Sequence, residues 1–108
     1  MICLSEALQD GGDGVRFTVM RVTGEEPAFV VRFGGKVHAY LNRCAHVPIE
    51  LDWQPGQFFD DSRLYLICAT HGAMYEPESG RCVAGPCRGA YLRSIPVAER
   101  DGCVYLVE

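Results

Sequence analysis

Cys68-Ala69-Thr70-His71-Gly72-Ala73-Met74-Tyr75, read with the earlier Cys44-Ala45-His46, is the most telling part of this chain. Each segment offers one thiolate and one imidazole, and each follows an extended apolar run, Val37-His38-Ala39-Tyr40-Leu41 before the first and Leu64-Tyr65-Leu66-Ile67 before the second. That placement makes both segments loops at strand ends. Two Cys and two His can close around one zinc ion, or hold two sulfide-bridged irons with unlike ligands at the two ends.

Working outward, the flanks read as all-β. Phe17–Val22 alternates, with Phe17 and Val19 on one face. Ala28–Phe33 and Lys36–Leu41 flank Gly34-Gly35, a pair that tolerates the positive φ of a tight hairpin. Ala90–Ile95 and Cys103–Val107 are further strands, with Asp101-Gly102 as a second hairpin signal, and Pro96 marks a strand end because it cannot donate to a ladder. Ser5-Glu6-Ala7-Leu8 reads as one helical turn capped by Ser5. No long segment has helical periodicity. Residues 42–88 are rich in Gly, Pro, Cys and His, and read as a loop-built site inserted into a β base within a single domain, residues 1–108.

Composition narrows the function. The net charge of −4 comes with scattered basic residues, which gives no basis for nucleic-acid binding. No stretch approaches the roughly 20 apolar residues of a membrane helix, and the N-terminal residues carry no export pattern. The cytoplasm is therefore the expected compartment, and no membrane partner is expected. Thiols there stay reduced, so the six cysteines point to metal binding or packing before disulfides. There is no nucleophile in register with a base and no glycine-rich phosphate loop.

Spacing weighs between the two metals. Zinc fingers place paired cysteines in one hairpin and paired histidines on one helix, whereas here each half mixes Cys with His and no helix is expected. The pattern Cys44-x-His46 with Cys68-x-x-His71-Gly72 resembles the Rieske [2Fe–2S] motif. The likeness extends to Leu51, to residues 71–80, to Gly85-Pro86, which resembles the loop covering the cluster, and to Leu92 and Pro96-Val97. It implies an antiparallel sandwich or barrel-like base carrying a cluster-binding subdomain, about 42–88. It also implies one [2Fe–2S] cluster, with Cys44 and Cys68 on the inner iron and His46 and His71 on the outer one. Gly72, Tyr75, Gly85 and Pro86 would line the cluster, with Tyr75 bonding to a ligand cysteine and backbone amides of both loops donating to cluster sulfurs. Such centres span about −150 to +300 mV.

Respiratory members of that family carry an extra cysteine in each loop and a serine after His-Gly. Here His46-Val47-Pro48-Ile49 and Ala69-Thr70-His71 have no cysteine, and Ala73 replaces the serine. The resemblance therefore implies a soluble ferredoxin of low potential within the Rieske range, passing single electrons from a flavin-dependent reductase to a terminal oxygenase or similar enzyme. Two alternatives stand beside it: an accessory subunit of a nitrite-reductase-like complex, and a metal-stabilised redox-sensing interaction module. Trp53, Phe58 and Phe59 read either as a docking surface or, with better odds, as packing of a long loop. Cys82 and Cys87, five apart around Gly85-Pro86, read as packing residues or as a redox disulfide, and Cys87 also as a residue near the cluster on that loop. Cys3 and Cys103 read as small core residues, and His38 as a surface or edge residue that does not ligate.

Overall fold

The computed structural model describes residues 1–22, 24–45, 47, 49–70 and 72–107. Its strands are β1 (Cys3–Leu4), β2 (Val15–Arg21), β3 (Gly24–Phe33), β4 (Lys36–Leu41), β5 (Leu66–Ile67), β6 (Met74–Tyr75), β7 (Cys82–Ala84), β8 (Ser94–Ile95), β9 (Val97–Arg100) and β10 (Cys103–Leu106). They form three antiparallel sheets, ordered β1-β10-β9, β2-β3-β4-β8 and β5-β6-β7. Among the described residues there is no α-helix, and none long and apolar enough to cross a membrane.

Both hairpins form where the glycines predict them. Phe33 pairs with Lys36 across Gly34 (φ 62°) and Gly35 (φ 79°), and Arg100 pairs with Cys103 across Asp101 (φ 53°) and Gly102 (φ 75°). Positive φ at both loop residues matches the turn to the twist of its strands. The carboxylate of Asp10 accepts the amides of Gly34 at 3.1 Å and Gly35 at 2.7 Å, which pins the first hairpin to the N-terminal segment.

The central strand explains how one chain builds both a base and a site. Ala28, Phe29, Val30 and Val31 on β3 are all fully buried, so alternation in polarity disappears while alternation in direction remains. Ala28 and Val30 face one core, with Val19, Ala39, Leu41, Ile95 and Val104. Phe29 and Val31 face the other, with Tyr40, Leu51, Phe58, Leu66, Tyr75 and Leu92. Cys44, Cys68, Cys82 and Cys87 belong to that second core. Of the candidate ligands, Cys44 and Cys68 thus sit on the opposite side of the β2-β3-β4-β8 sheet from the first core.

Some local expectations change. The N-terminal turn is a 3-10 turn over Ser5–Ala7 preceded by Leu4, and Ser5 makes no capping bond. Only Ser94–Ile95 of the expected strand 90–95 pairs in a ladder, because Ala90 and Leu92 are spent on the second core and Tyr91 makes a single bridge to Arg81. Leu64 and Tyr65 stay exposed, and the strand begins at Leu66. The aromatic trio divides: Phe58 is fully buried and stacks on Phe29 at 4.0 Å, Phe59 stacks on Phe33 at 6.1 Å, and Trp53 is 87% exposed.

Candidate metal centre

The first loop leaves β4 through Asn42, which is buried. Its amide donates to the Pro27 carbonyl at 2.8 Å, and its side-chain oxygen accepts the Leu51 amide at 2.8 Å. Its side-chain nitrogen donates to Asp52 at 2.9 Å, and Asp52 in turn accepts the Gly56 amide at 2.9 Å. Arg16 Nε lies 3.5 Å from the same buried carboxylate and balances its charge. Within this brace the Cys44 amide donates to the Ile49 carbonyl at 2.7 Å and closes the loop.

The second loop is the connection between β5 and β6. The Cys68 amide donates to the Ala73 carbonyl at 2.9 Å and the Gly72 amide to the Cys68 carbonyl at 2.8 Å. Gly72 has φ +71° with open space where a Cβ would sit, so its backbone conformation, not crowding, calls for glycine. The Ala69 amide donates to the Leu51 carbonyl at 3.1 Å and joins the two loops. Gly85 and Pro86, both exposed, begin a third loop. A Cβ on Gly85 would lie 2.8 Å from the Ala73 Cα, so this loop rests directly on the second.

Cys44 is 3% exposed and Cys68 is fully buried. The Tyr75 hydroxyl, also buried, stands 3.2 Å from Cys44 Sγ and 3.3 Å from Cys87 Sγ, and accepts the Ala45 amide at 3.0 Å. Burial first, and then its contacts with the two sulfurs, pushes the phenol well above the usual tyrosine range, so it stays a neutral donor. Beyond it, Cys82 and Cys87 lie with their sulfurs 3.0 Å apart, too long for a disulfide.

His46 and His71 lie outside the described residues, and among the described ones no three His, Cys, Asp or Glu side chains converge as a metal site. What is described fits a sulfur-ligated cluster. Two buried thiols come from loops hydrogen-bonded to each other, and a neutral hydroxyl is aimed at one of the sulfurs. Some expected amide donors are already engaged. The N–H groups of Cys44, Ala45, Cys68, Ala69 and Gly72 all donate to protein oxygens, because the loops use them to close. His38 lies on β4 opposite Val31, outside all three loops.

The sequence reading missed Asn42 and Asp52, whose role comes from facing each other across the first loop. The sequence places Cys87 near the cluster on the loop after Gly85-Pro86, but does not reveal its contact with Tyr75.

Comparison with solved structures gives the same fold. The Sphingomonas yanoikuyae B1 ferredoxin is 23% identical, with 99% of this chain and 95% of that one covered at a TM-score of 0.73. The ferredoxin of carbazole 1,9a-dioxygenase from Nocardioides aromaticivorans IC177 is 25% identical, with 97% and 92% covered at 0.73. The terminal oxygenase of carbazole 1,9a-dioxygenase from Novosphingobium sp. KA1 is 26% identical over 95% of this chain but only 27% of its own, at 0.71. No relative was found among curated protein sequences. Residues 1–98 match the Rieske [2Fe-2S] domain family, and the chain therefore belongs to that family, whose members carry one [2Fe–2S] cluster in each such domain.

Proposed function

We propose that this protein is a one-electron carrier that receives electrons from a flavin-dependent reductase and delivers them to a terminal oxygenase. Residues 42–88 are its cluster-binding subdomain. Cys44 and Cys68 hold the inner iron, and His46 and His71 the outer one. The bound cluster supplies a one-electron redox site. The chain's own residues hold that site in a fixed place and tune it. Asn42 and Asp52 brace the first loop, the Ala69–Leu51 bond joins it to the second, and Gly85 seats the third on Ala73.

The observation that carries this reading is the pair of buried thiols on joined loops beneath a rim of small residues. Ala45, Ala69, Thr70, Gly72, Gly85 and Pro86 are all exposed, and none is charged. Such a rim lets a partner's surface approach closely. The likeness to ferredoxins of dioxygenase systems supports an oxygenase as that partner. A low potential follows from Ala73, which has no hydroxyl to offer sulfur, and from loop amides already bonded within the protein.

The test is visible absorption and electron paramagnetic resonance of the anaerobically reconstituted protein, oxidised and then dithionite-reduced. The wild type should show a Rieske signal with iron and acid-labile sulfide in equal amounts. Cys68→Ser and His71→Ala should lose it, and His38→Ala should keep it. Zinc without sulfide, or loss of signal in the His38 variant, would defeat the assignment. Reduction of a purified ring-hydroxylating oxygenase by a flavin reductase only when this protein is added tests the carrier role itself.

A further inference from the structure

Two of the four thiols left unused by the metal centre, Cys82 and Cys87, lie against it. Cys82 opens β7 and Cys87 follows Pro86, and their sulfurs are 3.0 Å apart. A disulfide needs about 2.0 Å, so closure asks for roughly 1 Å of side-chain movement. The backbone has already brought the ends together: Gly89 N–H donates to the Cys82 carbonyl at 3.0 Å, and Cys82 N–H donates to the Ala90 carbonyl at 2.7 Å. Joining the sulfurs therefore closes a loop that is already closed.

Counting protons links this pair to the ligand side. Cys82 donates its S–H to the Ala84 carbonyl at 3.2 Å, and Cys87 donates its S–H to Cys82 Sγ. Each thiol has one proton, so Cys87 meets Tyr75 as an acceptor. Tyr75 also has one proton, and it stands almost equally far from two sulfurs, Cys44 at 3.2 Å and Cys87 at 3.3 Å. Its oxygen is already accepting from the Ala45 amide. Cys87 thus competes with Cys44 for the Tyr75 O–H.

We propose that Cys82 and Cys87 are a peroxide-oxidisable dithiol whose closure to a disulfide releases the Tyr75 hydroxyl to Cys44 and raises the reduction potential of the cluster. The coupling rests on the assignment of Cys44 as a ligand. Cys87, 9% exposed against 0% for Cys82, is the attacking thiol. The Cys87 thiol gives up its proton as its sulfur takes one hydroxyl of hydrogen peroxide, the O–O bond breaks, and the other hydroxyl leaves as water with that proton, giving a sulfenic acid. Cys82 sulfur then attacks Cys87 sulfur, the S–O bond breaks, and a second water leaves. Two thiols and one peroxide become one disulfide and two waters, with two electrons passing from sulfur to peroxide. Burial holds the Cys82 thiol up at about 11, which keeps it from being the thiol that meets peroxide first. The bridged sulfur, drawn toward Cys82, is a poorer acceptor for Tyr75, and a stronger hydrogen bond to the ligand sulfur favours the reduced cluster.

The experiment treats the holoprotein anaerobically with stoichiometric hydrogen peroxide, removes the excess, and reads three things. Peptide mass mapping reports a link between residues 82 and 87, absorption and paramagnetic resonance report cluster retention, and a mediated titration reports the potential. The link should form with the cluster intact, and the potential should rise by the equivalent of about tenfold in the one-electron equilibrium, about 59 mV. Cys87→Ala should show the raised potential without peroxide. Tyr75→Phe should still form the link but show no shift. A dithiol that persists at doses that bleach the cluster overturns the proposal. So does a link with unchanged potential, or an equal shift in Tyr75→Phe. An untreated protein with no Rieske signal removes the ligand assignment and the coupling with it; the mass map still decides the disulfide separately.

Discussion

The β2-β3-β4-β8 sheet and the loops of residues 42–88 share a core, yet they are held by different forces. The sheet rests on long ladders: seven residues of β2 pair with β3, from Val15↔Val30 to Arg21↔Gly24, and β3 buries side chains on both faces. The loop region has strands of only two or three residues. Its positions are set instead by single backbone bonds that close each loop and by side chains bonding to backbone, chiefly Asn42, Asp52 and Tyr75. A ladder tolerates the loss of one side-chain polar group, since its bonds are backbone to backbone. A brace built from one amide does not. The most sensitive residues should therefore be apolar under the sheet and polar in the loops.

The strongest test of that contrast is the residue joining the two regions. Phe29 is fully buried, stacks on Phe58 at 4.0 Å and lies 6.0 Å from the Tyr40 ring. Phe29→Ala should destabilise the fold by about 3–5 kcal/mol and lower the urea midpoint of both regions together. If the loop region alone melted early, the second core would not be continuous with the sheet.

Next comes the brace. Asn42→Ala leaves the Leu51 amide and an oxygen of Asp52 without partners in a buried place, at a cost of about 2–3 kcal/mol. Loss of cluster absorbance on dilution or chelation should accelerate, while the circular dichroism of the sheet changes little. Asn42→Leu should not rescue it, because volume is not what Asn42 supplies. Equal effects on sheet and loops would erase the distinction drawn between ladder and brace.

A smaller effect, aimed at chemistry more than stability, is expected from Tyr75→Phe. It removes a donor 3.2 Å from Cys44 and leaves the Ala45 amide without its acceptor. The stability loss should be about 1 kcal/mol, and with Cys44 as the proposed ligand the reduction potential should fall because its sulfur loses a hydrogen bond. A mediated redox titration checks it, and an unchanged potential would mean that the hydroxyl serves only to hold the Ala45 turn.

The same division decides how much could be seen in advance. The β base was legible because alternation and turn chemistry are local: Gly34-Gly35 and Asp101-Gly102 make their hairpins where the sequence places them. The two Cys-His segments stood out as candidate ligands because residue types and spacing are local too. The Asn42–Asp52 brace was not, since an Asn before a loop and an Asp after it look like ordinary surface residues until the chain brings them within 2.9 Å. Tyr75 could be expected near a ligand sulfur by resemblance, but its third contact, Cys87, depends on how the loop after β7 folds back. Trp53 and Phe58, five residues apart, met opposite fates for the same reason: Phe58 reaches Phe29, and Trp53 reaches solvent.

The smallest expected effect belongs to the base and depends on pH. Arg32 on β3 bonds to the carbonyls of Leu8 at 3.0 Å, Ser5 at 3.3 Å and Gly35 at 3.2 Å, and pairs with Glu99 of β9. It thereby fastens the N-terminal turn, the first hairpin and the neighbouring sheet. The Arg32 hydrogen bond holds the Glu99 carboxyl down at about 2. A carboxyl whose folded value lies below its unfolded one, about 4.3, adds stability at any pH above the unfolded value. That contribution fades as pH falls from there through about 2, because the unfolded chain takes up the proton first. Glu99 is partly exposed and screened by solvent, so the contribution is about 0.5–1 kcal/mol. Urea midpoints of wild type and Glu99→Gln should differ at pH 7 and converge toward pH 2. A gap that persisted at the acidic end would mean that Glu99 contributes through packing against Arg32 and not through its charge.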